Sequence, residues 1–77
     1  MSQQESGADL TARETQIVGL IVEGRTNDQI AEELSLSPRT VHSHIASSFK
    51  KLGVTNRTQL AVYALRNGII GGDKGGR

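Results

Sequence analysis

The chain has 77 residues, a formal net charge of +1 and no cysteine, which excludes disulfides, thiolate metal sites and thiol nucleophiles. This length corresponds to one small domain, and no apolar run approaches the roughly 20 residues that a membrane-spanning helix needs. We therefore expect a cytoplasmic protein that makes no contact with a membrane.

Charge is divided unevenly along the chain. Residues 1–36 carry seven acidic and two basic side chains, whereas residues 37–77 carry one acidic and seven basic side chains. A basic half of this kind favours contact with nucleic acid, which the overall charge would not indicate. The alternative is that the two halves neutralise each other across a packing interface.

Two capping boxes predict the first two helices. The polar residues 1–9 lack periodicity and are expected to form a disordered lead-in. Thr11 and Glu14 then have the spacing of a capping box, in which each side chain bonds the other residue's backbone N–H. Thr26 and Gln29 repeat that spacing before a shorter helix. The apolar residues expected on the buried faces of these two helices are Ile17, Val18, Leu20, Ile21, Ile30, Ala31 and Leu34.

The segment 37–53 predicts the third and longest helix. Ser37 is a suitable N-cap, Pro38 suits the first helical position, and Gly53 can adopt the left-handed conformation that ends a helix. The face of this helix opposite its expected apolar stripe has small, hydroxyl, imidazole and basic side chains, and the segment contains no acidic residue. A short helix, a three-residue link and this helix are the parts of a helix-turn-helix with a recognition helix for DNA. The residues of its expected apolar stripe are Val41, Ile45, Phe49 and Leu52.

A fourth helix is predicted to begin after Asn56 and to end at Asn67 and Gly68. It has more apolar surface than one face against a small core requires. A partner could cover the remainder, or the core could use it together with Ile69 and Ile70. Residues 71–77 are expected to be a flexible tail. Four helices and no credible strand predict an all-α fold.

Five sequence blocks together resemble a known family. They are LTARE, EGRTNDQIAEEL, SPRTVHSHI, KKLGV and NRTQLAVYALRNGII, in this order. Residues 10–70 thus resemble the LuxR-type (GerE-like) helix-turn-helix domain at the C-terminus of NarL/FixJ-type response regulators. The resemblance implies sequence-specific binding of double-stranded DNA by a bacterial transcriptional regulator. It also implies that the third helix enters the major groove and that the fourth forms a two-fold homodimer contact.

The resemblance also assigns site residues. It implies DNA base contacts for His42, Ser43, Ala46 and Ser47. It implies phosphate contacts for Thr26, Asn27, Arg39, Thr40, His44, Lys50 and Lys51. It places the dimer interface on the fourth helix, where the apolar residues free for a partner are Ala61, Val62 and Leu65. Many relatives have lysine or arginine at the base-reading positions and this chain has none there, so the operator sequence stays open.

The residue types themselves have alternative explanations. Lys50 and Lys51 suit phosphate contact, as does Arg57, but adjacent lysines are often only a solvated pair. Replacing both lysines is expected to leave the fold intact. His42 could be an ordinary exposed histidine, and His44 could have a partly buried structural role.

Two other functions compete with DNA binding. Catalysis is disfavoured because the chain has no glycine-rich phosphate loop, and because His42 and His44, two residues apart, point about 200° apart on a helix. We therefore expect no enzyme activity, no metal and no cofactor. The second alternative is a protein-interaction module that docks on RNA polymerase or another regulator through its acidic half.

Overall fold

Four α-helices make up the described part of the molecule. A computed structural model describes residues 10–69, and in this range the helices are α1 (Ala12–Val22), α2 (Asn27–Leu34), α3 (Pro38–Leu52) and α4 (Arg57–Arg66), with no strand. The predicted all-α helix-turn-helix fold is confirmed. The expected lead-in 1–9, Ile70 and the expected tail 71–77 lie outside the described residues.

Every helix begins at a side-chain cap that the sequence predicts. The Thr11 hydroxyl accepts from the Glu14 N–H at 3.0 Å, and a Glu14 carboxylate oxygen accepts from the Thr11 N–H at 2.9 Å. This is a complete capping box, and α2 has a second one. Such caps satisfy N–H groups that have no acceptor inside the helix. The four N-caps are Thr11, Thr26, Ser37 and Asn56.

The turn between α2 and α3 is tight although it has no glycine. Ser35 has φ 58° and ψ 44°, and it is the only residue other than glycine with positive φ among residues 10–69. The Leu36 N–H then donates to the Ala31 carbonyl at 2.8 Å. A left-handed serine costs roughly 1–2 kcal/mol, so the packing of α2 on α3 must offset that cost.

The hydrophobic core receives side chains from all four helices. On α3, the apolar stripe lies inward as predicted, although Phe49 is only partly buried. Leu20 and Leu34 are also only partly buried, so their predicted burial is incomplete. The core residues are Ile17, Val18, Ile21, Ile30, Ala31, Val41, Ile45, Leu52, Leu60 and Ala64.

Ser48 was not expected in the core. It is fully buried on the apolar side of α3, and its hydroxyl donates to the His44 carbonyl one turn earlier at 2.9 Å. Because this bond satisfies the hydroxyl donor, a serine can be buried at a position that the spacing of apolar residues does not assign to the core.

The outer face of α4 has no partner within the described chain. Leu60 and Ala64 point into the core, while Val62 and Leu65 are 45% and 59% exposed. The core and Ile69 therefore do not use the whole apolar surface of this helix. No helix formed by residues 10–69 is both long enough and apolar enough to cross a membrane.

Candidate nucleic-acid interface

The side of α3 opposite the core carries a line of four exposed residues: Arg39, Ser43, Ala46 and Lys50. Their spacings of four, three and four residues place them within about 60° of one another on the helix circumference. His42 is exposed at one edge of this line. We call the five together the recognition face: Arg39, His42, Ser43, Ala46 and Lys50.

The recognition face is positive at both ends and uncharged between them. Arg39 and Lys50 are eleven residues apart, which is about 16 Å along a helix. Between them Ser43 and Ala46 are too small to hold the helix away from a surface. His42 adds a ring that can donate or accept, depending on its tautomer. Such a helix can lie in a groove with anionic edges and a hydrogen-bonding floor.

Two other expected contact residues of α3 face α1 instead. The Lys51 ammonium donates to Glu14 Oε1 at 2.8 Å, and the Ser47 hydroxyl also hydrogen bonds to the Glu14 side chain. The Glu14 side chain is buried, with only 3% of the residue exposed. Its carboxylate is held both by the capping box and by these contacts from α3. Lys51 and Ser47 thus tie α3 to α1, and the sequence pattern indicated neither contact.

These contacts change the expectation for the adjacent lysines. Lys50 lies on the recognition face, whereas Lys51 pairs with a buried carboxylate. Removing the partner of a buried charge is costly, so replacing both lysines would not leave stability untouched. Only Lys50 can be replaced without breaking this pair.

The environment of Glu14 shifts its pKa. Burial alone would raise the pKa of this carboxyl. Hydrogen bonds from Lys51, the Thr11 backbone and Ser47, together with the charge of Lys51, more than offset burial and lower the pKa below its ordinary value of 4.5. The charged form is therefore favoured in the folded state.

Acid should weaken the fold through Glu14. A carboxyl whose pKa is lower in the folded state stabilises the fold above its unfolded pKa, and that stability is lost as the pH falls through the folded pKa. We expect the free energy of unfolding, measured in urea, to fall as the pH is lowered from 6 to 3. The Glu14→Gln variant should be less stable at pH 6 and should show a shallower decline. An equal decline in both proteins would contradict this role for Glu14.

The remaining α3 residues of the expected site lie near its start and on its flank. Thr40 is partly buried, and its hydroxyl oxygen accepts from the Ser37 hydroxyl at 2.9 Å. His44 is also partly buried, and its carbonyl is the acceptor for Ser48. His44 lies about 160° from Ala46 by helix geometry, so the two do not share one contact surface within the helix.

The start of α2 carries the other residues of the expected site. The Thr26 hydroxyl caps the Gln29 N–H at 3.1 Å. Asn27 is partly buried, and its Oδ1 accepts from Arg57 Nη1 at 2.7 Å. Arg57 Nη2 donates to the Arg25 carbonyl at 2.6 Å. Arg57, expected to add charge toward DNA, therefore lies against the turn before α2.

The three expected dimer residues share one side of α4. By helix geometry Ala61, Val62 and Leu65 fall within about 100° of one another. Ala61 is partly buried and the other two are exposed. They form an apolar strip that is open to solvent, and Tyr63 and Val54 lie beside Val62 in an adjacent shallow depression.

No group of three or more His, Asp or Glu side chains in the described range could hold a metal ion. His42 and His44 project from different sides of α3, as their spacing predicts.

A tight turn between α2 and α3, with a polar and basic face on the second of them, defines a helix-turn-helix domain. The family model of bacterial regulatory proteins, luxR family, matches residues 8–64. The chain belongs to this family, and the resemblance drawn from the sequence blocks is confirmed. It is a domain of transcription regulators rather than an enzyme.

Individual relatives agree with this assignment. The chain is 51% identical over 61 residues to the transcriptional regulatory protein LiaR of Bacillus subtilis (strain 168), covering 79% of this chain and 29% of LiaR. It is 44% identical over 61 residues to the spore germination protein GerE of the same organism, covering 79% of this chain and 82% of GerE.

Two solved structures are similar to the fold. The structure of the transcription factor GerE has a TM-score of 0.75 at 36% identity, covering 86% of this chain and 96% of that one. The response regulator ChrA, from a heme-sensing two-component system, has a TM-score of 0.77 at 33% identity, covering 90% of this chain and 33% of that one. The chain thus spans about a third of ChrA and of LiaR, and most of GerE.

Proposed function

We propose that this chain binds double-stranded DNA sequence-specifically, with α3 in the major groove. The observation that carries the proposal is the recognition face, which is cationic at both ends, small and uncharged in the middle, and opposite a buried stripe. The major groove of B-DNA is about 12 Å wide and admits an α-helix. Membership in a family of bacterial regulators, and similarity to the transcription factor GerE, support the same conclusion.

Base reading falls to the middle of the recognition face. His42 and Ser43 can hydrogen bond to base edges, and the Ala46 methyl can pack against a thymine methyl. Ser47 is at the edge of this set. Its hydroxyl can hydrogen bond to base edges of either type.

Phosphates are the proposed partners of residues around the recognition face. Arg39 and Lys50 can reach the two edges of the groove. Thr40, at the start of α3, and Thr26 and Asn27, at the start of α2, lie at positive helix-dipole ends that favour anions. His44 and Lys51, on the flank toward α1, complete the proposed set, and Lys51 there also pairs with Glu14.

A second copy of the chain is the proposed partner of α4. The apolar strip of Ala61, Val62 and Leu65 can meet the same strip of another copy across a two-fold axis. Val62 and Leu65 are largely exposed in the single chain, so such a contact would remove apolar area from water. A palindromic duplex would then be bound by two copies.

Docking on RNA polymerase or another regulator is the second candidate function. Acidic Glu23 and Glu33 border a shallow groove between α1 and α2 that also contains Leu20 and Leu34. This groove could accept a basic and apolar segment of a protein. Steep weakening of binding with salt favours the DNA function, because contacts to several phosphates release counterions, whereas a contact that combines two carboxylates with an apolar groove should weaken less.

Lys50→Ala and Lys51→Ala should have different effects. Lys50→Ala should reduce the affinity for all duplexes and make the fall of log affinity with log salt shallower, by about 0.9 in slope. Its free energy of unfolding should change by less than about 0.5 kcal/mol. Lys51→Ala should instead lower the free energy of unfolding by about 1–3 kcal/mol, because the buried Glu14 loses its donor. Fluorescence anisotropy with a labelled duplex, and urea unfolding, measure the two effects.

The adjacent positions serve as controls for each other. An unchanged salt slope in Lys50→Ala would contradict phosphate contact by the recognition face. Full stability in Lys51→Ala would contradict the importance of the Glu14 pair. Absence of binding to random and palindromic duplexes alike at low salt would overturn the proposed function.

A further inference from the structure

The Arg57 guanidinium holds two acceptors on the turn before α2. Arg57 is the first residue of α4, and its two Nη atoms donate to Asn27 Oδ1 at 2.7 Å and to the Arg25 carbonyl at 2.6 Å. A guanidinium has only donors, so the Asn27 amide must turn its oxygen toward Arg57. This contact joins residues 30 positions apart in the chain and fixes the orientation of the amide.

The same orientation directs the Asn27 Nδ2 away from Arg57. Within residues 10–69 this amino group has no hydrogen-bond acceptor. The capping box uses the N–H groups of Thr26 and Gln29, which leaves the backbone N–H groups of Asn27 and Asp28 without an acceptor in the helix. The first turn of α2 therefore brings side-chain and backbone donors together.

We propose that Arg57 is a positioning residue for DNA binding. It acts through Asn27 by holding the amide so that Nδ2 donates to a phosphate oxygen. This inference rests on the proposed function, in which Asn27 contacts the DNA backbone. Two of the five Arg57 N–H donors are used inside the domain, and the guanidinium contributes positive charge behind the contact. A free asparagine side chain samples several orientations, and only those with Nδ2 toward the phosphate can donate to it. The two Arg57 hydrogen bonds hold the amide in such an orientation before DNA binds.

A role for Arg57 in stability alone makes a different prediction. In that case Arg57 would tie α4 to the turn, and the chemistry of Asn27 toward DNA would not depend on it. The two roles are separated by changing the Asn27 group that faces solvent while keeping the group that faces Arg57.

Asn27→Asp makes this separation. The aspartate keeps an acceptor for Arg57 and adds an ion pair, so the free energy of unfolding should be at least that of the parent. It replaces the Nδ2 donor by a second carboxylate oxygen, and affinity for a 20-base-pair palindromic duplex should fall at least about tenfold. Unfolding in urea and fluorescence anisotropy with the labelled duplex are the measurements.

Gln29→Glu is the matched control. It makes the same amide-to-carboxylate change two residues later, and glutamate can serve the capping box in place of glutamine. Its affinity should fall less than about threefold. An equal loss in both variants would mean that charge alone is responsible and would overturn the assignment of a donor to Asn27.

The dependence on Arg57 is read from a double-mutant cycle. Asn27→Ala should cost at least about tenfold in affinity in the parent but less than about threefold in an Arg57→Met background, where nothing orients the amide. Arg57→Lys keeps the charge but lacks the two Nη atoms that donate to both acceptors at once. It provides a second background if Arg57→Met does not fold. An equal cost of Asn27→Ala in the parent and in the folded background would overturn the positioning role.

Failure of this inference can be distinguished from failure of the proposed function. A parent protein that binds no duplex would count against DNA binding itself, and Lys50→Ala with unchanged affinity and salt slope would count against contact by the recognition face. If the parent and Lys50→Ala behave as expected while Asn27→Asp binds as well as Gln29→Glu, only the role of Arg57 and Asn27 is overturned.

Discussion

Leu60→Ala should lower the free energy of unfolding by about 2–5 kcal/mol, the range observed when a buried leucine is truncated. Leu60 is fully buried on α4 and belongs to the core shared by all four helices. A domain of this size has a free energy of unfolding of only several kcal/mol, so this loss is a large part of the total. Urea unfolding followed by circular dichroism measures the change.

Leu65→Ala is the matched control, because it makes the same substitution on the same helix at a side chain that is 59% exposed. Its free energy of unfolding should change by less than about 0.5 kcal/mol. If α4 mediates the proposed dimer, Leu65→Ala should also weaken binding to a palindromic duplex more than binding to a half-site. Parent-like stability of Leu60→Ala would mean that α4 is rotated relative to the core.

Ala46→Glu should reduce the affinity for duplex DNA at least about a hundredfold. Ala46 lies in the middle of the recognition face, and a carboxylate there would meet base edges and phosphates at the closest approach of the helix. A favourable methyl contact would be lost and an anion would be brought into a negative groove. The fold should be unaffected, because Ala46 is exposed and glutamate is a good helix former.

Ala12→Glu controls for the added charge. Ala12 is an exposed alanine at the first position of α1, where a carboxylate is favoured by the helix dipole. The net charge changes by the same amount as in Ala46→Glu, so the two variants differ only in where the charge lies. Fluorescence anisotropy should show a much smaller loss for Ala12→Glu. Equal losses would place the interface somewhere other than on α3.

The helix boundaries could be predicted closely because they depend on neighbours in sequence. Each cap is formed by a side chain that bonds a backbone N–H three residues later. Gly53 ends α3 in the left-handed conformation as predicted, and the Val54 N–H donates to the Phe49 carbonyl. These are local interactions, so a single chain segment contains all the information they need.

Ser35 and Ser48 show where local patterns are insufficient. Serine is not the residue that a left-handed turn position predicts, and it is not a residue that a core position predicts. At Ser35, the packing of α2 against α3 imposes the turn. At Ser48, the other helices bury the residue, and the His44 carbonyl within α3 satisfies its hydroxyl. Neither contribution is visible in a periodicity of apolar residues.

The sequence by itself determined four helices, their caps, the buried stripe of α3 and the family to which the chain belongs, because each depends on residues a few positions apart or on a block of consecutive residues. Only the tertiary structure decided which polar side chains are used inside the domain. Lys51 meets Glu14 across 37 residues of chain, and Arg57 meets Asn27 across 30. The physical reason is that a long cationic side chain pairs with whichever acceptor the packed helices bring near it, and no spacing along the chain specifies that acceptor.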